Sequence, residues 1–515
     1  MPVWVVGAKE SAERDRAAIE NGTPSRVLMQ RAGNAAAGEI VRRYRDRLND
    51  GAVVFAGPAN NGGDGWVVAA ALADANVRVS VFQAAEADPR KSPDAVAERD
   101  HALPRVTVVK EVPHDAGVVV DGLLGTGFDG EPRGEVALGI SRVNALRESG
   151  ATVVALDVPS GLNATDGKHG ACVVADLTIS FGGVKRGTLL ARDCCGEIVA
   201  IDIGLDDHGG PAPARSPRVP ELVTGEWVYS RVPTIRYDAH KGARKHLAFI
   251  GGGPGMPGAV VLGARAALRS GIGLVRTMVA PENTSGVLAA VPSALNSHWP
   301  ESDDAIKSEI ASWADAIVIG PGLGKTQSSR EMVERVLRST DLPVLLDADA
   351  LNDYAGDTAS LAKLLLGKRA LVTPHVAEFA RLMDTAADTV LANRFDIGND
   401  LAQKIGAIVL LKGSPTVIFS PTGDRLVVAR GSAALGTGGS GDILAGIAGT
   451  LLAQMDDPMD AAACAAWIHG RAAELCEHVR GTTLEDVLYA LPRAWNEREA
   501  APIAPVTAVL PAVAR

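Results

Sequence analysis

At 515 residues the chain is too long for a single hydrophobic core and is expected to divide into two or three domains. An apolar fraction of 47% suits helices packed closely on buried parallel sheets. A net charge of −10, with a pI near 5.6, argues against a nucleic-acid or anionic-membrane surface, so a small-molecule ligand is expected.

Met1–Gly7 is apolar but has no basic leader and runs directly into Lys9 and Glu10, so it is not read as a signal peptide. No window approaches a membrane-spanning run. Five cysteines, an odd number in a long chain, fit a reducing cytoplasm better than a disulfide framework. The adjacent Cys194 and Cys195 lack metal-ligand spacing and read as buried structural residues.

After a charged helical opening, Ala52–Gly57 reads as a buried strand feeding the loop "PANNGGDG" at Pro58–Gly65. An Ala- and Val-rich helix to about Asp74 and a strand at Val77–Phe82 complete a unit of the kind that builds parallel sheets. "GVVVDGLLGTG" carries Asp121 at a strand end, a helix is expected over Ala137–Glu148, and "TVVALDVPSG" places Asp157 and Ser160 at another strand end. Such ends converge on one crevice in an open parallel sheet, so Asn60, Asn61, Asp64, Asp121, Asp157 and Ser160 are expected to meet. All are hard oxygen donors, which suits an alkali or alkaline-earth cation and disfavours zinc, while the glycines suit phosphate oxygens. Singly, such Asn and Asp residues more often close turns; three such loops together favour a site.

"NNGGDG", "DGLLGTG", "LDVPSG", "ADLTISFGGVKRG" and "CGEIVAIDIGL" resemble the NAD(P)H-hydrate epimerase family over nearly all of residues 1–205. The resemblance implies that Asn60, Asn61, Gly62, Gly63 and Asp64, with Gly125, Thr126, Gly127, Phe128, Asp129, Gly130 and Glu131, bind the hydrated dinucleotide. It further implies that Asp157 contacts the reacting end and that Asn61, Asp121 and Ser160 hold K+, with Lys185 a secondary catalytic candidate. Gln30 and Ala59 depart from the Glu and Gly usual in the family.

Asp206–Glu226, rich in Pro and Gly, reads as an interdomain linker. Beyond it a second α/β pattern begins with "HLAFIGGG", the helical "PGMPGAVVLGARAALRSGIG" and "LVRTMVA". Further strands are expected at Ala316–Gly320, Val344–Asp347, Ala370–Thr373 and Ile408–Lys412. "GGGPGMPG" is a weak dinucleotide fingerprint because no acidic partner follows at the next strand end, and "GPGLGKT" is one residue short of a P-loop. The stronger signal is "TGGSGD" at Thr437–Asp442, whose glycines open converging N–H groups at a helix start and set Asp442 beside an anion hole as a general base. Lys412 beside Gly413 suits a phosphate, His375 an amide or hydroxyl, and Asp347 and Asp349 in "LDADALN" gain weight from their strand-end position.

These motifs, with "TPHVAEFARL" and "KGSPTVI", resemble the ribokinase-like superfamily and, within it, the nucleotide-dependent NAD(P)H-hydrate dehydratases over about 228–498. That resemblance implies that Lys412, Gly413, Ser414, Pro415 and Thr416, with Gly438, Gly439 and Gly441, bind ADP or ATP with Mg2+. Ala259, Gly322, His375 and the catalytic Asp442 would face the hydrate. Lys245 and Ala377 stand where the family commonly has Gly.

The expected architecture is thus α/β in two domains: a Rossmann-like parallel-sheet domain over 1–224, with the linker at about 206–226, a ribokinase-like domain over 228–498, and an Ala/Pro-rich tail over 499–515. The expected activity is epimerisation of R and S hydrates of NADH and NADPH (NADHX, NADPHX) and nucleotide-dependent dehydration of the S hydrate, in a cytoplasmic homo-oligomer. The alternative is a vitamin-precursor or sugar kinase with a non-catalytic first module; the fused first domain and the "TPHxxE" segment speak against it.

Overall fold

A computed structural model describes residues 2–206 and 219–513, and the chain falls into two compact units, 1–214 with 501–513 and 215–500 with 514–515. Most of the expected linker lies outside the described residues. Of its remainder, Glu221–Leu222 is a strand paired with Arg425–Val428 in the second unit, so a first-domain boundary at 224 runs too far.

The first unit is an eight-stranded sheet in the spatial order Val506–Leu510, Glu197–Ile201, Leu177–Phe181, Thr152–Leu156, Val118–Gly122, Ala52–Ala56, Val79–Gln83, Thr107–Val109. Seven strands run parallel; Val506–Leu510 is antiparallel at the edge. Strands such as "AVVFA" are apolar throughout because both faces of the sheet are covered. From Ala52–Ala56 the chain builds outward to Thr107–Val109, then returns to add Val118–Gly122 on the opposite side. The strand order therefore reverses between these two strands, and the loops after them flank the crevice where such sheets bind ligands.

Two features differ from the sequence reading. The expected tail contains a strand, Val506–Leu510, whose alternate residues Val506, Ala508 and Leu510 are buried against the sheet edge. The expected loop "PANNGGDG" is mostly helix, since Asn60–Asp74 begins at its third residue. Glycines are accommodated in that helix because the backbone passes so close to its neighbours: a Cβ on Gly62 would lie 2.0 Å from the Gly57 carbonyl oxygen, and one on Gly63 would lie 2.6 Å from Met29 Sδ.

The second unit repeats the logic in a ten-stranded sheet. His246–Ile250, Leu274–Val279 and Leu295–His298 extend one way, Ala316–Ile319, Val344–Leu346, Ala370–Val372 and Ile408–Leu411 the other, all parallel. An antiparallel hairpin of Thr416–Phe419 and Arg425–Val428 follows. The reversal lies between His246–Ile250 and Ala316–Ile319. Helix Ser440–Gln454, apolar and almost wholly buried, packs on helix Pro257–Arg269. Small residues let them approach, as a Cβ on Gly446 would fall 2.1 Å from the Gly263 carbonyl oxygen. This contact fixes the start of the buried helix, and with it Asp442, against the helix carrying Ala259. The α/β expectation holds for both units, and among the described residues no helix is long and apolar enough to cross a membrane.

Candidate active sites

In the first unit the two loops of the reversal point lock together. Gly57 N–H donates to the Gly122 carbonyl at 3.0 Å, and Asn61 Nδ2 donates to the Leu124 carbonyl at 2.7 Å. Asp121, fully buried, accepts from Ser160 N–H at 2.8 Å, Ser160 Oγ at 2.6 Å and Leu123 N–H at 3.2 Å. Burial nevertheless pushes its carboxyl up to about 6, against the opposing pull of those hydrogen bonds. The other oxygen of the cluster, Asn61 Oδ1, is buried and accepts no hydrogen bond. An orphaned acceptor beside Asp121, Ser160 and a backbone carbonyl is a set of hard oxygens suited to a desolvated alkali cation. The residues expected to hold K+ thus fit it.

Asp157 follows strand Thr152–Leu156 with φ +66, and Val158 N–H donates back to the Leu156 carbonyl at 2.8 Å, a tight and rare γ-turn. Strain of this kind costs of order 1–3 kcal/mol and tends to gather at functional sites. The turn directs the Asp157 carboxylate to Phe181 N–H, 3.0 Å away, and to the ammonium of buried Lys185, which also donates to the Phe181 carbonyl at 2.7 Å. Asp64 and Asp15 share this neighbourhood. Burial first, then the Asp157 charge, hold Asp64 well above the usual carboxylate range, and burial raises Asp15 despite Lys185. Lys185 and the three carboxylates therefore lie close enough to act on one another's charge. Asp15 was not picked out in the sequence, since it lies in a charged helix with no motif around it.

Of the other expected contacts, Asn60 is exposed at the start of its helix, and a helix start of this kind suits an anion. The Gly125–Glu131 loop is largely exposed, with Asp129 accepting from Asn163 Nδ2 at 3.1 Å. Gln30 donates to buried Glu98 at 2.7 Å, alongside Arg26.

In the second unit Lys412 Nζ lies 2.8 Å from Asp347 Oδ1, which also accepts from Thr373 Oγ1 at 2.7 Å. Glu378 stands 3.9 Å from the same ammonium. Although burial alone would lower it, the Lys412 ammonium is held above its ordinary range by Asp347 and Glu378. The helix Ser440–Gln454 starts at Gly439, whose φ of +98 an L side chain rarely adopts, and Gly441 backs onto this pair: a Cβ there would lie 3.3 Å from Lys412 Nζ. Burial, and then the Asp347 charge, push the Asp442 carboxyl up to about 7. It is thus poised near neutrality beside an ammonium and the open N–H groups of a helix start.

His375 caps helix Val376–Leu382: its Nδ1 accepts from Ala377 N–H at 3.1 Å, while Glu378 Oε2 accepts from His375 N–H at 2.9 Å. Accepting at Nδ1 leaves the ring proton on Nε2, and burial lowers the affinity for a second proton. Gly322, at φ +60, brings its loop against Ala259, whose Cβ would meet a Gly322 Cβ at 3.0 Å. The Lys412–Thr416 loop is backed by buried Arg394, which donates to the Pro415 carbonyl at 2.9 Å and would collide with any Cβ on Gly413. Gly438 and Ser414 are exposed. The residues without a sequence motif are Arg394 and His469, a buried imidazole that burial and Lys412 push down to about 4. Lys245 keeps a positive φ, +71, which explains the usual glycine there.

Two largely parallel sheets, one carrying a carboxylate–lysine cluster beside a cation cradle and the other a carboxylate at a glycine-rich helix start, give the chain two candidate active sites, the pattern of a two-site enzyme. A family model described as the YjeF-related protein N-terminus matches residues 25–187, and one described as NAD(P)H-hydrate dehydratase matches 247–493. A bifunctional NAD(P)H-hydrate repair enzyme of Coxiella burnetii is 35% identical over 90% of this chain and 93% of its own, and the Escherichia coli counterpart is 34% identical over 96% and 94%. Among solved structures, an ADP/ATP-dependent NAD(P)H-hydrate dehydratase of Bacillus subtilis, 30% identical, covers 54% of this chain and 98% of its own with a TM-score of 0.49. The chain belongs to the bifunctional NAD(P)H-hydrate repair enzymes, which join an epimerase to a dehydratase.

Proposed function

We propose that the first unit interconverts the R and S hydrates of NADH and NADPH through Asp157 and Lys185, and that the second dehydrates the S hydrate with Asp442 as base. The hydrate is a carbinolamine, bearing hydroxyl on the ring carbon next to nitrogen. Inverting that carbon requires either its carbon–oxygen bond to break and re-form, with a proton delivered to the departing hydroxyl and recovered from the returning water while positive charge spreads into the ring, or the ring to open at its carbon–nitrogen bond and reclose. Asp157 can stabilise the charge and Lys185, bonded to it, can carry the proton. The Gly125–Glu131 loop and the helix start at Asn60–Asp64 would receive the dinucleotide, and K+ at Asn61, Asp121 and Ser160 would hold the two loops in register.

In the second unit the difficulty is the leaving group, because hydroxide departs poorly at neutral pH. Asp442 takes the hydroxyl proton as the oxygen attacks the terminal phosphorus of ADP or ATP. The Gly438, Gly439 and Gly441 N–H groups meet the transferring phosphoryl oxygens, and Lys412 with Gly413–Thr416 holds the nucleotide. Mg2+ accompanying the phosphates would find hard oxygen donors in Asp347 and Asp349. AMP or ADP departs as the phosphoryl group is transferred; the carbon–oxygen bond to phosphate then breaks, pushed by the ring nitrogen, and loss of a proton from the neighbouring ring carbon restores the dihydronicotinamide. Ala259, Gly322 and His375 would position the ring. The observation that carries this reading is the placement of Asp442 in the first turn of a glycine-rich helix start that backs onto Lys412, where burial pushes its carboxyl up to about 7. A cytoplasmic homo-oligomer completes it.

The test is an equilibrated mixture of both hydrate epimers, incubated with ADP or with ATP while NADH absorbance is followed. Full recovery, faster than spontaneous epimerisation, is expected, and the productive nucleotide identifies the donor. Recovery that stalls after one epimer would leave the first unit inactive; no recovery would overturn the proposal.

A further inference from the structure

We propose that His169, Cys172 and Cys194, in the first unit but apart from its Asp157 cluster, form a site for one borderline transition-metal ion, with Zn2+ the best fit. Cys172 Sγ and Cys194 Sγ lie 3.3 Å apart, with His169 Nδ1 3.5 Å from the first sulfur and Nε2 3.7 Å from the second. One ligand atom from each residue falls within a span of 4.8 Å. A tetrahedral ion with bonds of ~2.3 Å to sulfur and ~2.0 Å to nitrogen separates its ligand atoms by about 3.5–3.8 Å. The three groups already stand at nearly that spacing. Binding needs the imidazole to turn one nitrogen toward the gap between the sulfurs, and the ring, being exposed, has room to do so.

The chemistry of the set selects the ion. Two thiolates and an imidazole are the donors that Zn2+ takes and that the K+ cluster lacks altogether. Both thiols are almost wholly buried, so a divalent ion that replaces their two protons leaves the pair with no net charge. The fourth position opens on the His169 side and would carry water. Neighbouring backbone bonds hold the sulfurs in place: Asn144 Nδ2 donates to the Cys172 carbonyl at 2.9 Å, and Ala175 N–H to the Cys194 carbonyl at 2.9 Å. Cys195, one residue on, is directed elsewhere, with its sulfur 3.2 Å from the Ala191 carbonyl oxygen.

An ion here would tie the segment that follows Asp157 to the turn at Arg192–Cys194. That segment carries Ser160 and, through Asn163, holds Asp129. The test is a titration of the reduced, chelator-stripped full-length protein with Cd2+, followed by thiolate-to-metal absorbance in the ultraviolet. We expect saturation at about one equivalent, release of about two protons per ion, and displacement by Zn2+. Cys172→Ser should abolish the band, and His169→Ala, a surface change that the fold tolerates, should weaken binding about tenfold or more. Absence of a saturable band, or binding equal in His169→Ala and the parent, would overturn the proposal. So would a Cys172–Cys194 disulfide that persists under the reducing conditions.

Discussion

The Lys412 ammonium stands 2.8 Å from the Asp347 carboxylate, and the two act on Asp442 in opposite senses, Asp347 raising its pKa and Lys412 lowering it. Removing the negative partner should therefore make Asp442 a stronger acid. The rise of dehydratase kcat/KM with pH should be centred near 7 in the parent and should move to lower pH in Asp347→Asn. A profile that stays in place would show that the ascending limb belongs to another group.

Asp442→Asn should lower dehydration by about 10²–10⁴-fold, the usual worth of a positioned base, while epimerisation continues. It should also change stability in a pH-dependent way. With a folded pKa of about 7 against ~3.9 unfolded, the folded state binds the extra proton between these values, so this carboxyl costs stability as pH rises and the full cost is present above 7. The asparagine variant should melt above the parent at pH 8, by at most about 4 kcal/mol in stability, and level with it near pH 4. Thermal melts at the two pH values decide it.

Lys185 is bonded to Asp157 and acts on Asp64 and Asp15, so Lys185→Met leaves the Asp157 charge without its bonded partner. A loss of about 3–5 kcal/mol is expected, together with loss of epimerisation. Asp157→Asn keeps a side chain that tolerates positive φ and should retain the fold while epimerisation falls by about 10²-fold or more. Combining the two should recover part of the stability lost in Lys185→Met alone, as denaturant unfolding would read.

The unpaired Asn61 Oδ1 predicts that K+ stabilises the first unit. Melting temperature should rise with KCl and not with tetramethylammonium chloride at equal ionic strength, and Asn61→Leu should abolish the difference. Equal responses to both salts in the parent would remove the cation from Asn61.

What was legible beforehand is what local pattern encodes. Apolar runs bounded by glycine loops located the parallel strands, and the strand-end positions of Asp121, Ser160, Asp157 and Lys412 followed from the fold class. Residues acting through distant contact were not legible. Asp15 joins the Asp157 cluster from a surface helix, Arg394 props the Lys412 loop from the far side, and His169 and Cys172 meet Cys194 only after the sheet has formed. The helical start of "NNGGDG" was missed for another reason: the glycines that argue for a loop there serve close packing against Gly57 and Met29.

The strand Val506–Leu510 makes the second unit an insertion in the first, since the chain leaves the first sheet after Glu197–Ile201 and returns to its edge only after completing the other unit. On the ribosome, at about 5–20 residues per second, that edge waits roughly 15–60 seconds for its last strand. Through that interval the nascent first unit presents an uncapped strand, and it must either fold around the gap or be shielded until Val506–Leu510 emerges. One cut between the units would not yield two whole enzymes, because one of the pieces would carry away the other's closing strand.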